Sequence, residues 1–145
     1  MNKDELLGYC KGEFEKLKGL AATLSSFCPA DKTTGRLEET AAMGAFLFSV
    51  YTGMERVLEQ LLLFDSLNIG GTQARHPEIL KKAAELGIVP PDLHQTLAGY
   101  LAFREFFSQS YVTELNWQKL CGLARASEET VARLEKEVFE YIETV

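Results

Sequence analysis

Apolar residues recur at steps of three and four along most of this chain. Over residues 3–27, Leu6, Cys10, Phe14, Leu17, Leu20 and Leu24 keep that spacing with Lys and Glu between them. This draws one apolar stripe along an amphipathic helix. Pro29 and the polar run Asp31-Lys32-Thr33-Thr34-Gly35 close it, because proline has no amide hydrogen to continue the ladder. A second helix is expected over residues 36–67, capped by Thr33 or Thr34. Its stripe of Met43, Phe46, Leu47, Val50, Met54, Val57, Leu58 and Leu61 is apolar on more than one face, as suits the central helix of a bundle. Asn68-Ile69-Gly70-Gly71 is expected to end it, since glycine adopts the left-handed conformation on which helices finish.

A short third helix is read over residues 77–86, opened by Pro77 and closed by Gly87. A fourth follows Pro90-Pro91-Asp92 and carries Leu93, Leu97, Tyr100, Leu101, Phe103, Phe106 and Phe107, fading at residues 108–111. The fifth starts near Asn116, a good N-cap, and runs to about residue 144 with Leu120, Leu123, Val131, Leu134, Val138 and Ile142 at helical spacing. Ser127-Glu128-Glu129 marks a break or a second start. No stretch alternates as a strand does, and no repeat or low-complexity segment is present. The fold class expected is all-α: an up-and-down four-helix bundle with an additional short helix, one domain spanning residues 1–145.

Composition narrows the function. The chain has 145 residues, 46% of them hydrophobic, enough for a sizeable core, and a net charge of −6. That acidic balance argues against broad, sequence-independent nucleic-acid binding, which rests on many Lys and Arg contacts to phosphate. A small local RNA site stays compatible with it; no DNA partner is expected. Cys10, Cys28 and Cys121 form no close pair in sequence and have no metal-ligand spacing, so they read as reduced thiols filling helix faces in a cytoplasmic protein. Neither a signal peptide nor a membrane span is expected: the most apolar stretch, residues 43–54, is far short of the ~20 residues a spanning helix needs.

No glycine-rich phosphate loop or paired-carboxylate site is present, and His76 and His94 with scattered cysteines give a metal site no support. No metal or other cofactor is expected. The run that stands out is Phe103-Arg104-Glu105-Phe106-Phe107-Ser108-Gln109-Ser110-Tyr111, an arginine and a tyrosine near the polar end of an aromatic helix.

Two further segments complete a pattern. They are Met43 to Leu58, containing Tyr51-Thr52-Gly53-Met54-Glu55-Arg56, and Arg75-His76-Pro77-Glu78-Ile79-Leu80. In this order, and with Glu114-Leu115-Asn116-Trp117 after Tyr111, they resemble the HepT-like branch of the HEPN superfamily over residues 41–120. The resemblance implies a metal-independent ribonuclease toxin of a toxin–antitoxin pair, a homodimer in which arginine and histidine from two chains meet, and a nucleotidyltransferase antitoxin as partner. Arg104 falls on the motif arginine and Tyr111 on the motif tyrosine. Gln109 occupies the place of the motif histidine.

The chemistry explains why that exchange matters. Metal-free cleavage needs a group that moves a proton near neutral pH and a fixed cation to steady charge on phosphate. Arg104 retains the second role through its planar fork of donors. Gln109 hydrogen-bonds but does not titrate, and general acid–base work is worth roughly 10²–10⁴ in rate, so weak activity at best is expected of it. His76 and His94 are the remaining groups with a suitable pKa.

Each residue also has a plainer reading. Arg104 pairs with Glu105 or Glu114, or serves the motif. Tyr111 is a core or interface aromatic or, by resemblance, a target of adenylylation. Glu55 and Arg56 are a solvated pair or, by resemblance, support the arginine. His76 is a structural hydrogen-bonding residue or part of that support. The Phe103-Phe106-Phe107 cluster reads as core packing. Three functions therefore compete: a ribonuclease toxin, a catalytically inactive module that binds a small nucleotidyltransferase, and an unrelated helical bundle.

Overall fold

The computed structural model describes residues 1–67, 69 and 74–145. Among the described residues five helices make up the bundle, α1 (Lys3–Ser26), α2 (Leu37–Phe64), α3 (Arg75–Glu85), α4 (Pro91–Gln109) and α5 (Trp117–Glu143), with one 3₁₀ turn at Val112–Glu114. No strand occurs among the described residues. The α2 helix packs against each of the other four, as its wide apolar stripe requires.

Local chemistry sets the boundaries. Asn2 caps α1 by accepting from the Glu5 N–H at 2.8 Å, and Asn116 caps α5 by accepting from the Lys119 N–H at 3.0 Å. The start of α2 differs from the threonine cap expected. Arg36 is its N-cap residue and has no side-chain acceptor, so Glu39 reaches back to accept from the Arg36 N–H at 2.9 Å and from Lys32 at 2.5 Å.

The end of α2 also differs. It stops at Phe64, and Ser66 stands at φ 64. The Ser66 N–H donates to Leu63 O at 2.9 Å and the Leu67 N–H to Leu62 O at 2.8 Å, the paired bonds of a Schellman close. Serine here takes the left-handed position usually given to glycine, which hides the stop from a reading of glycines. Of the expected stop at residues 68–71, Asn68, Gly70 and Gly71 lie outside the described residues. Gly87, at φ 79, closes α3 in the same way, with Ile88 N–H on Ala83 O at 3.0 Å. Pro77 sits in the first turn of α3, where its missing N–H leaves no bond unmade.

The α5 helix runs unbroken through Ser127-Glu128-Glu129. Ser127 is fully buried and its hydroxyl donates to Ala124 O at 2.7 Å within the helix, so it has no need of a non-helical backbone.

The core runs through Leu6, Phe14, Leu17 and Leu24 of α1, Met43, Leu47, Met54 and Leu58 of α2, and Leu134, Val138 and Ile142 of α5. Each fully buried side chain of this size contributes about 1.5–3 kcal/mol before entropy is counted. Gly53 lets α1 approach α2: a Cβ there would come within 2.6 Å of Leu17 Cδ2. Among the aromatic cluster, Phe103 is buried and Phe107 half-buried, but Phe106 is 47% exposed. The expectation of core packing fails for Phe106 because it lies on the outward face of α4.

The cysteine reading is corrected as well. Cys28, just beyond α1, and Cys121, in the first turns of α5, form a disulfide with α-carbons 5.7 Å apart, while Cys10 is free and buried. The pair is 93 residues apart in sequence, and only the docking of α1 on α5 brings it together. No helix among the described residues is long and apolar enough to cross a membrane.

Candidate functional site

A glutamate inside an otherwise apolar stripe is the first oddity of α2. Glu55 is 7% exposed, and a carboxylate is costly to bury without partners. One partner comes from α3: His76 Nδ1 lies 2.5 Å from Glu55 Oε1. One helical turn before Glu55 stands Tyr51, 1% exposed. Burial, and after it the Glu55 carboxylate, push the Tyr51 phenol far above its ordinary range, with Arg104 of α4 opposing them. The Tyr51 hydroxyl and Glu55 Oε2 are both buried without an aligned hydrogen bond. Tyr51 and Glu55 from α2 thus form a polar cluster with His76 from α3, and the charge of Arg104 from α4 reaches Tyr51.

An aromatic ladder positions Arg104. Its guanidinium lies over the Phe48 ring, 4.9 Å from the centroid. Phe48 packs on Phe107 at 5.6 Å, and Phe107 on Phe103 at 5.6 Å. Gly44 makes room for Phe107, since a Cβ there would sit 2.7 Å from the ring. Arg104 itself is half-buried, and its Nε is buried without a partner. Among the described residues it forms no ion pair, so the pairing with Glu105 or Glu114 does not occur.

The other singled-out residues fall elsewhere. Gln109 is the exposed last residue of α4. Five residues set it roughly 140° around the helix from Arg104, so the chain does not bring the two together. Tyr111 is 80% exposed, just before the 3₁₀ turn. This removes the core-aromatic reading. Arg56 is exposed and lines a groove between α1 and α2 with Glu13, Lys16, Phe48, Ser49 and Thr52, so it is no solvated partner of the buried Glu55. His94 sits in the first turn of α4, about 15 Å along the helix from Arg104 at 1.5 Å per residue. Among the described residues no group of three His, Cys, Asp or Glu side chains is placed to hold a metal ion.

Phe48 and Tyr51 carry no role in the sequence reading, yet one orients the arginine and the other abuts the carboxylate. The signal that finds them is helical spacing: Phe48, Tyr51 and Glu55 fall on one face of α2, at steps of three and four.

No curated protein and no solved structure matches the chain. The family model described as HepT-like protein matches residues 42–145, which takes in every residue of the cluster. The chain therefore belongs to the HepT-like family, within the HEPN superfamily.

Proposed function

We propose that this protein is a toxin–antitoxin-type protein built on a ribonuclease scaffold, which engages RNA through Arg104 and works as a homodimer. The observation that carries the reading is the state of Arg104. A guanidinium that is half-buried, fixed on an aromatic face and, among the described residues, without a carboxylate partner is an unfinished contact. Its planar donors match phosphate oxygens. The groove beside Phe48 is lined by Arg56 and by Lys16 paired with Glu13, which leaves one net positive charge there on a chain of net charge −6.

The exposed Phe106, Tyr111 and Val112 around the end of α4 supply apolar surface for a second copy, whose α4 would then complete a shared cleft. The experiment is a titration of labelled single-stranded RNA into the full chain and into Arg104→Ala. A charge-assisted contact is worth about 1.5–3 kcal/mol, so affinity should fall tenfold or more. Equal affinity would contradict the reading.

A second reading is favoured by Tyr111, whose side chain at 80% exposure is open to a modifying nucleotidyltransferase. In that reading the chain is a catalytically inactive module bound by its partner enzyme. Incubation with such an enzyme and ATP, followed by mass spectrometry of the natural chain and of Tyr111→Phe, tests it.

A further inference from the structure

We infer that His76, oriented by Glu55, is the proton carrier of this site and takes over the role of the motif histidine whose place Gln109 occupies. The inference rests on the reading of Arg104 given above and adds the group that reading lacks.

The geometry of the pair is specific. An ionised carboxylate only accepts hydrogen bonds, so the 2.5 Å contact to Glu55 Oε1 puts a hydrogen on Nδ1, and in the neutral ring the lone pair then stands on Nε2. Nε2 makes no hydrogen bond among the described residues, and the His76 side chain keeps 31% of its surface in solvent. A buried acid behind the ring, and in front a nitrogen with no partner among the described residues, is the arrangement that orients a general base and steadies the imidazolium it becomes.

The ring is also held firmly. Arg75, the preceding residue, forms an ion pair with Glu59, one turn beyond Glu55 on α2. Two consecutive residues of α3 thus grip two carboxylates a turn apart, and Pro77 stiffens the chain immediately after them. A simple tether between α3 and α2 needs only the outer Arg75–Glu59 pair. Burying Glu55 behind a histidine adds a desolvation cost that a tether alone does not explain.

Glu55 and the Phe48 ring that carries Arg104 stand on the same face of α2. Tyr51, one turn along α2, responds to both charges. Arg104 of α4, over Phe48, and His76 of α3, on Glu55, therefore meet α2 about two turns apart, within a single chain.

The step balances without a further reagent. His76 Nε2 takes the proton from an RNA 2′-hydroxyl, and the 2′-oxygen bonds to the adjacent phosphorus. The bond from phosphorus to the 5′-oxygen breaks, and the leaving oxygen takes a proton back from the imidazolium. The products are a 2′,3′-cyclic phosphate and a 5′-hydroxyl. Arg104 carries the charge that builds on the phosphate oxygens.

The test uses the full chain and end-labelled RNA, comparing the natural protein with His76→Gln, His76→Ala, Arg104→Ala and Gln109→His. Long-range ¹H–¹⁵N spectra should show His76 as the Nδ1–H tautomer. Cleavage by His76→Gln should fall roughly 10²–10⁴-fold with RNA affinity unchanged, and added imidazole should restore cleavage to His76→Ala, an effect no structural role produces. Should His76→Gln fail to fold, imidazole rescue of His76→Ala decides: rescue supports the inference and its absence overturns it. His76→Gln cutting like the natural protein while Arg104→Ala does not overturns the inference and leaves the reading of Arg104 standing. A natural protein that is inert while Gln109→His cuts also overturns it, and marks the scaffold as retired. If neither His76→Gln nor Arg104→Ala alters cleavage, both ideas fall.

Discussion

The Arg104 guanidinium rests on the face of Phe48, 4.9 Å from the ring centroid, held by an aromatic surface and by no carboxylate among the described residues. A carboxylate would neutralise the charge that phosphate needs; a ring fixes its plane and leaves the charge available. Phe48→Leu keeps apolar volume but removes the quadrupole. A partly desolvated cation–π contact is worth about 0.5–2 kcal/mol, so RNA affinity should weaken several-fold while the melting temperature changes little. Anisotropy titration and thermal melting, run side by side, check this; an unchanged affinity would show that the ring does not orient the arginine.

Ser66 occupies a left-handed position, φ 64, at the close of α2. A residue with a Cβ is strained there by roughly 1 kcal/mol relative to glycine. Ser66→Gly is expected to raise the melting temperature by a few degrees. Ser66→Val should lower it. Differential scanning calorimetry on the three proteins reads the order directly.

The Cys28–Cys121 disulfide closes a loop of 93 residues. A loop that long restricts the unfolded chain enough to contribute about 3–5 kcal/mol on the chain-entropy account. Reductant should therefore lower the melting temperature substantially, and Cys28→Ser should melt at the reduced value with or without it. Thiol titration of the denatured, unreduced protein should find one free thiol, that of Cys10; finding three would contradict the pairing.

Glu39 gives a pH dependence with a definite sign. Hydrogen bonding from Lys32, and after it from the Arg36 N–H, holds its carboxyl at about 2, below its ordinary value of 4.5. A depressed folded-state pKa adds stability that is full above the unfolded value and disappears as pH falls toward the folded one. The contribution is therefore present above about pH 4.5 and lost between there and pH 2. Urea melts of the natural protein and Glu39→Gln across that window should converge as the pH drops; parallel curves would show that Glu39 contributes nothing in the folded state.

How far the sequence discloses this molecule depends on the range of each interaction. The helices follow from periodicity, and the Asn116 cap is read correctly, because stripe and cap act within a few residues. The stop at Ser66 and the start held by Glu39 are local too, but they use residue types that carry weak signals for those positions. Ser127 misleads because its hydroxyl bonds within its own helix. The site is half legible: motif resemblance singles out Arg104, Glu55 and His76, and the structure joins Glu55 to His76 across 21 residues. Nothing local tells that Glu55 turns toward α3 and away from Arg56, that Phe48 carries the arginine, or that Cys28 meets Cys121. Those contacts exist only once the bundle has closed.

The most direct test of the central claim is the cleavage of labelled single-stranded RNA by the purified natural chain beside Arg104→Ala. We expect fragments ending in 2′,3′-cyclic phosphate from the natural protein, and a loss of roughly 10²–10³ in rate when the donor to the developing phosphate charge is removed. Cleavage by Arg104→Ala at the natural rate would contradict the assignment of Arg104 as the centre of the site.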